Sequence, residues 1–476
     1  MTSRRLARST HLAAAGIATL AGLLFARGLE TKTNYDEGVY LASIDALRHG
    51  QRLGSDLYVV QPPAFYSLAR VLAAPFGDSV AGIRVGFVLV AALGVLAAYI
   101  LGSRLFGHWA GMAAAALVAI GPPYPTVAPT VAADVPSVAI GIAAVALAAL
   151  AVRSGTRDRA WAFAAGGMLA FAVLVKFLAL PFAVPLLAVV LAARAGRRLL
   201  PLVVVGGISV TAFFLLINLG SLDEVWRGVV TDHANAQAMH NFSDNVGRIR
   251  GLLHPHTPFA WLVPAGLIAF LCSRDARRTW PLATVVPAAM AFTIYQRPLN
   301  DHHLVLMSAA YAIAAGPALA LGIADLPRRA GVVAVSVVCL FVAAGFFQEE
   351  RRLARNDVPE KPEILWAADV LASQTSPGQL VASDQPIVNF LARRDLPGYL
   401  SDTSNTRIAS KALTQGAILA EVDRTHSPVV VADRMFTTLP DLLAQLARRY
   451  PVRLRCGTAT LYLAQPPSSA TPVCPL

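Results

Sequence analysis

Residues 82–104 read GIRVGFVLVAALGVLAAYILGSR, and nothing between Arg84 and Arg104 carries a charge. At about 1.5 Å of rise per residue, a helix of this length reaches across the ~30 Å hydrocarbon core of a bilayer. Comparable apolar runs lie near 11–28, 109–121, 133–152, 160–175, 177–193, 199–218, 258–272, 280–295, 303–323 and 331–347, giving about eleven spans. The composition agrees. Of the 476 residues 56% are hydrophobic and only 14% charged, and the mean hydropathy is +0.56, too apolar for a soluble enzyme of this size. The fold expected is an α-helical polytopic membrane protein. Arg4, Arg5 and Arg8 precede the first span as in a signal peptide. No small-residue cleavage site follows, so the span reads as a retained anchor.

The formal charge of +12 does not point to nucleic acid. The arginines fall in short loops between spans: Arg153, Arg157 and Arg159; Arg194, Arg197 and Arg198; Arg274, Arg277 and Arg278; Arg328 and Arg329. Together with the N-terminal arginines they mark one side as cytoplasmic. Segments 30–81, 122–132, 219–257 and 296–302 then face outward, and an odd number of spans puts the tail beyond residue 348 there too. Cys272 and Cys339 sit in apolar spans. Cys456 and Cys474 lie in the external tail, where a disulfide and two free thiols are both open readings.

The chain divides into a membrane domain, 1–348, and a soluble extracytoplasmic segment, 349–476, entered through the charged stretch Gln348–Glu363. Leu380–Ser383, Val429–Ala432 and Leu461–Ala464 read as buried strands, with helical patterns at 363–373, 386–394, 407–424 and 439–449. That alternation predicts a small α/β domain. Asp384 and Asp433 follow strands and read as helix N-caps.

The first external loop is long. It opens on Asp36-Glu37, and Gly38–His49 carries Tyr40, Ile44 and Leu47 at helical spacing. This predicts an amphipathic helix on the membrane surface, with a second short helix over Ala64–Ala74 introduced by Gln61-Pro62-Pro63. Charged groups near a membrane face are costly unless they have a use. Asp36-Glu37, Asp134 at the start of the fourth span, Lys176 at the end of the fifth, and Asp301-His302-His303 before the tenth all fall on the external side. Transfer of a sugar from a lipid phosphate to a hydroxyl needs a carboxylate to take the hydroxyl proton. It also needs donors or cations for the phosphate that leaves. Asp36 and Asp134 fit the first need; Lys176, Arg297, His302 and His303 fit the second. Each also has a plainer structural reading. Asp36-Glu37 is a favourable helix N-terminus, Asp134 an N-cap, Lys176 a snorkelling anchor, and adjacent histidines point apart and are weak evidence for a metal.

In this order the residues resemble the GT-C class of polyprenyl-phosphate-sugar-dependent glycosyltransferases. Within it, the chain is similar to the protein O-mannosyltransferase and lipid A aminoarabinose transferase group. The likeness runs through Tyr35-Asp36-Glu37-Gly38-Val39-Tyr40, Gln61-Pro62-Pro63-Ala64-Phe65-Tyr66, Ala133-Asp134-Val135-Pro136, Val175-Lys176-Phe177 and Asp301-His302-His303-Leu304. It implies an inverting transferase on the external face, with a polyprenyl-phosphate-linked sugar as donor and a glycan, lipid or protein as acceptor. Asp36 would be the base, Glu37 its support and Asp134 a second acid. Lys176, His302, His303, Arg297 and Gln61 would lie toward the donor phosphate, and Tyr40 and Tyr66 toward substrate. Gln61 stands where several members carry a cation, which moves phosphate binding toward Lys176 or Arg297. The resemblance allows a divalent metal; the residues name no ligand set for one. The alternative from another class is a lipid or sugar transporter or flippase. The one-sided charges, the lack of symmetry between halves and the soluble tail argue against it. A polysaccharide polymerase or ligase and an inactive scaffold are the remaining rivals.

Overall fold

The computed structural model describes residues 2–154, 157–193, 196–237, 243–254, 256–467 and 471–475. Arg194 and residues 238–242 and 255 of the predicted 219–257 loop lie outside the described residues, as do the side chains of Arg4, Arg5 and Arg8. The chain forms two compact units. A bundle unit takes Met1–Leu29, Leu72–Ile217 and Asn241–Asp357; a mixed unit takes Glu30–Val71, Asn218–His240 and Val358–Leu476.

Among the described residues of the bundle unit six helices are long and apolar enough to cross a membrane. They run over Val80–Phe106, Asp134–Arg153, Asp158–Val175, Gly196–Ile217, Asp301–Ala324 and Arg328–Asn356. They coincide with six of the predicted spans, and this is a multi-pass membrane protein. Predicted spans 258–272 and 280–295 form one pair, Pro258–Cys272 and Ala276–Tyr295, bent by 112° at the break between them. Spans 11–28, 109–121 and 177–193 fall on shorter apolar helices, Leu12–Ala26, His108–Ile120 and Phe177–Ala192. The last span does not stop at 347. Its helix continues to Asn356, into the charged stretch Gln348–Glu363, because Glu349, Glu350, Arg351 and Arg352 are all good helix formers.

Local chemistry explains the ends. The Ser79 hydroxyl accepts the Gly82 N–H at 3.0 Å and starts Val80–Phe106, and Gly107, at φ +95°, ends it. Small residues let helices touch backbone to backbone. A Cβ on Gly166 would lie 1.8 Å from the Val203 carbonyl oxygen, and one on Gly206 would lie 2.0 Å from that of Phe163. Helices Asp158–Val175 and Leu200–Ile217 are therefore held at glycine contacts, the packing that suits lipid, where burial of apolar surface gives no drive. Leu20, Leu93, Ile208, Leu216 and Leu340 point outward, as lipid-facing residues should.

The mixed unit is built on a four-stranded sheet in the order β1-β2-β4-β3: β1 Ala382–Ser383, β2 Val429–Ala432, β3 Val452–Cys456 and β4 Ala459–Leu463. β1 pairs parallel with β2, and the other pairings are antiparallel. Val430, Ala432, Leu442, Leu446 and Tyr462 form part of its core. Pro362–Gln374, Pro386–Ala392, Gln415–Thr425 and Pro440–Arg449 are its main helices in the tail. Three expectations change. β3 was not predicted, because its alternating arginines 453 and 455 read as polar. The 407–424 helix is two, Asn405–Ala409 and Gln415–Thr425, since Thr414 accepts the Ala417 N–H and starts a new one. Asp384 caps no helix; its carboxylate accepts the N–H groups of Asp433, Arg434 and Phe436 at 2.8, 2.9 and 2.7 Å. Cys456 and Cys474 are disulfide-bonded.

The first-loop helix runs over Tyr35–Arg48 and is not a one-faced surface helix. Glu37–Ile44, Ala46 and Leu47 are all buried, because small and apolar residues occur around its whole circumference. It packs along Pro386–Ala392, where a Cβ on Gly38 would come 3.1 Å from the Ile387 nitrogen. The second helix, Pro63–Ala73, does keep an open side at Arg70 and Val71.

Candidate active site

The sequence-selected residues fall into two groups, one in each unit. In the bundle unit Asp134 opens its helix and Lys176 directly follows the helix Asp158–Val175. His302 and His303 lie in the turn that leads into Val305–Ala324. Three helix ends thus bring together residues from three distant stretches. Lys176 Nζ donates to Asp134 Oδ1 at 2.8 Å, and His303 Nε2 lies 4.0 Å from the same oxygen. Asp134 is 2% exposed. The helix dipole at its N-terminus and the ammonium beside it both favour its charge. The two imidazoles meet edge to face with centroids 4.4 Å apart.

The tautomer of His303 follows from its neighbours. Its Nδ1 accepts the Asn300 backbone N–H at 3.2 Å and faces the Gln296 side-chain nitrogen at 2.8 Å. A backbone N–H can only donate, so Nδ1 is an acceptor, and in the neutral ring the proton sits on Nε2, toward Asp134. Asp134, His302 and His303 are near enough for ligand atoms to share an ion. A protonated Nε2 and an ammonium 2.8 Å from the same carboxylate oxygen nevertheless fit a metal poorly. They fit a negatively charged group better. Arg297 is half-buried in the segment before Asp301, and among the described residues no hydrogen bond or ion pair ties it to this cluster. Asp301 instead pairs with Arg248 at 2.6 Å.

In the mixed unit Asp36 and Glu37 occupy the first turn of Tyr35–Arg48, and the Asn34 side chain accepts the Glu37 N–H at 2.9 Å. Asp36 is exposed, whereas Glu37 is 1% exposed. Gln61 is buried and its amide donates to the Tyr40 hydroxyl at 2.8 Å. Tyr40 lies edge-on to Phe65. Tyr66 is fully buried, its hydroxyl accepting the Val60 N–H at 3.1 Å.

Sequence reading missed Tyr35. Its hydroxyl donates to Asp402 Oδ1 at 3.0 Å and accepts the Thr403 N–H at 2.6 Å, while the Arg434 guanidinium stands 4.1 Å over its ring. Burial, and then the Asp402 charge, push the phenol well above its ordinary pKa. The residue before Asp36 is thus pinned to the tail. No spacing rule pairs positions so far apart, so only the fold could reveal this.

The chain has the GT-C fold, a multi-pass bundle unit with a mixed unit, seen in the solved structures to which it is similar. A family model for dolichyl-phosphate-mannose-protein mannosyltransferases matches residues 60–219. The chain is similar in structure to ArnT from Cupriavidus metallidurans bound to undecaprenyl phosphate, with a TM-score of 0.69, 16% identity and coverage of 95% of this chain and 98% of that one. It is also similar to the Archaeoglobus fulgidus oligosaccharyltransferase in complex with zinc and sulfate, with a TM-score of 0.58, 15% identity and coverage of 90% and 69%. The same organism's AglB, in complex with an inhibitory peptide and a dolichol-phosphate, matches at a TM-score of 0.54 and 12% identity, covering 91% of this chain and 71% of that one. A search of curated proteins returns no match.

Proposed function

We propose that this protein transfers a sugar, a hexose or a pentose, from a polyprenyl-phosphate donor to an acceptor hydroxyl on the extracytoplasmic face, with inversion. The observation that carries the reading is the likeness along 95% of the chain to a structure holding undecaprenyl phosphate, joined to an exposed carboxylate at a helix N-terminus. It favours a transferase over a transporter.

Asp36 takes the acceptor hydroxyl proton as that oxygen attacks the anomeric carbon. The bond from that carbon to the phosphate oxygen breaks, and the electron pair leaves with polyprenyl phosphate. Glu37, buried behind Asp36, supports the turn that presents it. Lys176, with Arg297 as a further cation, neutralises charge gathering on the phosphate, and the His302 and His303 imidazoles offer it hydrogen bonds. Lys176 spends one N–H on Asp134 and keeps two for a ligand. Asp134 holds that ammonium in place. Gln61 spends its amide on Tyr40, which supports Lys176 as the main phosphate contact. Tyr40 and Tyr66 shape the substrate side.

Residues 1–348 form the transferase-like membrane domain with about eleven crossings, the N-terminus cytoplasmic. Residues 349–476 form an extracytoplasmic α/β domain. The arginines at 274, 277 and 278, close to the break in the bent pair, favour reading that pair as two crossings joined by a cytoplasmic turn. The acceptor is a glycan, lipid or protein.

Purified protein incubated with radiolabelled polyprenyl-phosphate sugars should turn donor over, and Asp36→Asn should abolish turnover, a loss of at least about 10²-fold, while staying folded. Full activity in that variant would remove Asp36 as the base.

A further inference from the structure

A cavity of about 670 Å³ opens within the mixed unit, between the turn at 54–59, the 224–232 segment and the tail. It lies within the range of about 300–1,000 Å³ usual for small-molecule sites. Asp56, Glu224, Asp232 and Glu421 bring carboxylates to its wall; Arg227, Arg407 and Arg424 bring guanidinium groups. Tyr58 and Tyr399 add aromatic rings.

Arg407 is the unusual member. It is 3% exposed, yet makes no ion pair among the described residues. Its guanidinium carbon stands 3.6 Å from the centroid of the Tyr58 ring and 4.8 Å from that of Tyr399. Nη1 donates to the carbonyl oxygens of Tyr399, at 2.9 Å, and Asp402. Its Nε is shut off from solvent and has no partner among the described residues, a costly state for a charged group that marks how tightly the two rings enclose it. Elsewhere on the wall the charges are held in place. Arg424 grips Glu421 with two bonds of 2.8 and 2.6 Å, and the Tyr58 hydroxyl donates to Asp232 at 2.7 Å.

We propose that this cavity binds a neutral saccharide. Carboxylates only accept and guanidinium groups only donate, so a wall that interleaves them matches a hydroxyl, which does both. An anion would meet four carboxylates and a cation three guanidinium groups. Tyr399, 42% exposed, offers the flat face on which the C–H side of a sugar ring rests. The volume admits the end of an oligosaccharide. Given the transferase reading, on which this role rests, the cavity holds a saccharide acceptor and selects for sugar over lipid or protein.

The test uses the full chain in detergent, with mannotriose, maltotriose and arabinotriose as neutral probes and trigalacturonate as the acidic one, read by saturation-transfer NMR. At least one neutral probe should bind and outcompete trigalacturonate. Tyr399→Ala and Glu224→Gln, both at exposed positions, should each weaken it by about tenfold in protein that stays folded, Glu224→Gln with the melting temperature unchanged. Arg407→Lys, which keeps the charge but loses the planar guanidinium that holds the Tyr58 and Tyr399 rings, should weaken it at least as much. Failure of every neutral probe to bind, preference for trigalacturonate, or unchanged affinity in Tyr399→Ala and Glu224→Gln would overturn the proposal. No donor enters this measurement, so a chain that binds saccharide without turning over donor would refute the transferase reading alone, and the converse would refute the cavity alone.

Discussion

The two units hold buried carboxylates by different means. In the bundle, Asp134 is met by the Lys176 ammonium at 2.8 Å, a full opposite charge. In the mixed unit, Asp384 is 0% exposed and is met by three backbone N–H groups; Asp402 is met by the Tyr35 hydroxyl and the Ser404 N–H and hydroxyl. One unit uses an ion, the other uses dipoles. The difference tracks the surroundings. Among apolar helices there are few spare backbone groups, because helices consume their own, and an ionic partner must be carried in by sequence. Around a small sheet with turns, unpaired N–H groups are plentiful. The two solutions should therefore fail in different ways.

Breaking the ion pair should have the largest effect. Lys176→Met leaves the Asp134 carboxylate buried without its cation and should cost about 3–5 kcal/mol in thermal or denaturant unfolding of the detergent-solubilised protein. The double variant Asp134→Asn/Lys176→Met removes both charges and should recover most of that loss. A single variant as stable as wild type would mean that the pair does not hold the three helix ends together.

The dipole-held carboxylate should instead show itself through pH. Burial outweighs the three N–H bonds and raises Asp384 to about 6, above the ~3.9 of an unfolded aspartate. The folded chain thus holds this proton more tightly. Stability from this group is complete below about pH 4 and is lost as pH rises through about 6, a change of about 3 kcal/mol. Hydrogen-exchange protection of the Asp433, Arg434 and Phe436 amides should fall over that window. Asp384→Asn, which cannot ionise, should flatten the fall; an unchanged slope in the variant would assign the dependence to another group.

This contrast also marks what the sequence could reveal. Asp134, Lys176 and His302-His303 were visible as charges at the ends of apolar runs, because a charge there is costly and demands a reason. Their pairing was not, since 42 positions separate Asp134 from Lys176 and hydropathy carries no register between helices. The six long spans were legible from length alone. The bend after Cys272 was not, because two apolar helices joined by a charged turn read alike whether they run straight, fold back or kink. In the mixed unit the three largely buried strands, β1, β2 and β4, were legible as apolar runs. β3 was hidden by arginines that face solvent at a sheet edge. The burial of Tyr35–Arg48 escaped notice because its partner, Pro386–Ala392, comes hundreds of residues later.

The smallest effect expected lies where the dipole network reaches the proposed base. Tyr35→Phe deletes one hydroxyl that donates to Asp402 and accepts from Thr403, leaving the ring under Arg434 in place. The stability cost should be about 1–3 kcal/mol, the range for losing a bond to a carboxylate and leaving a buried N–H unpaired. If the network merely stiffens the fold, kcat with a polyprenyl-phosphate sugar should stay near wild type once the protein is folded. If it fixes the turn that presents Asp36, kcat should fall by about tenfold or more with donor KM little changed, because small displacements of a reacting group cost rate more than binding. A fall in kcat rescued by no conservative residue other than tyrosine would tie the exposed acid to the dipole-held tail. An unchanged kcat would leave Asp36 dependent on its own helix turn and on Asn34.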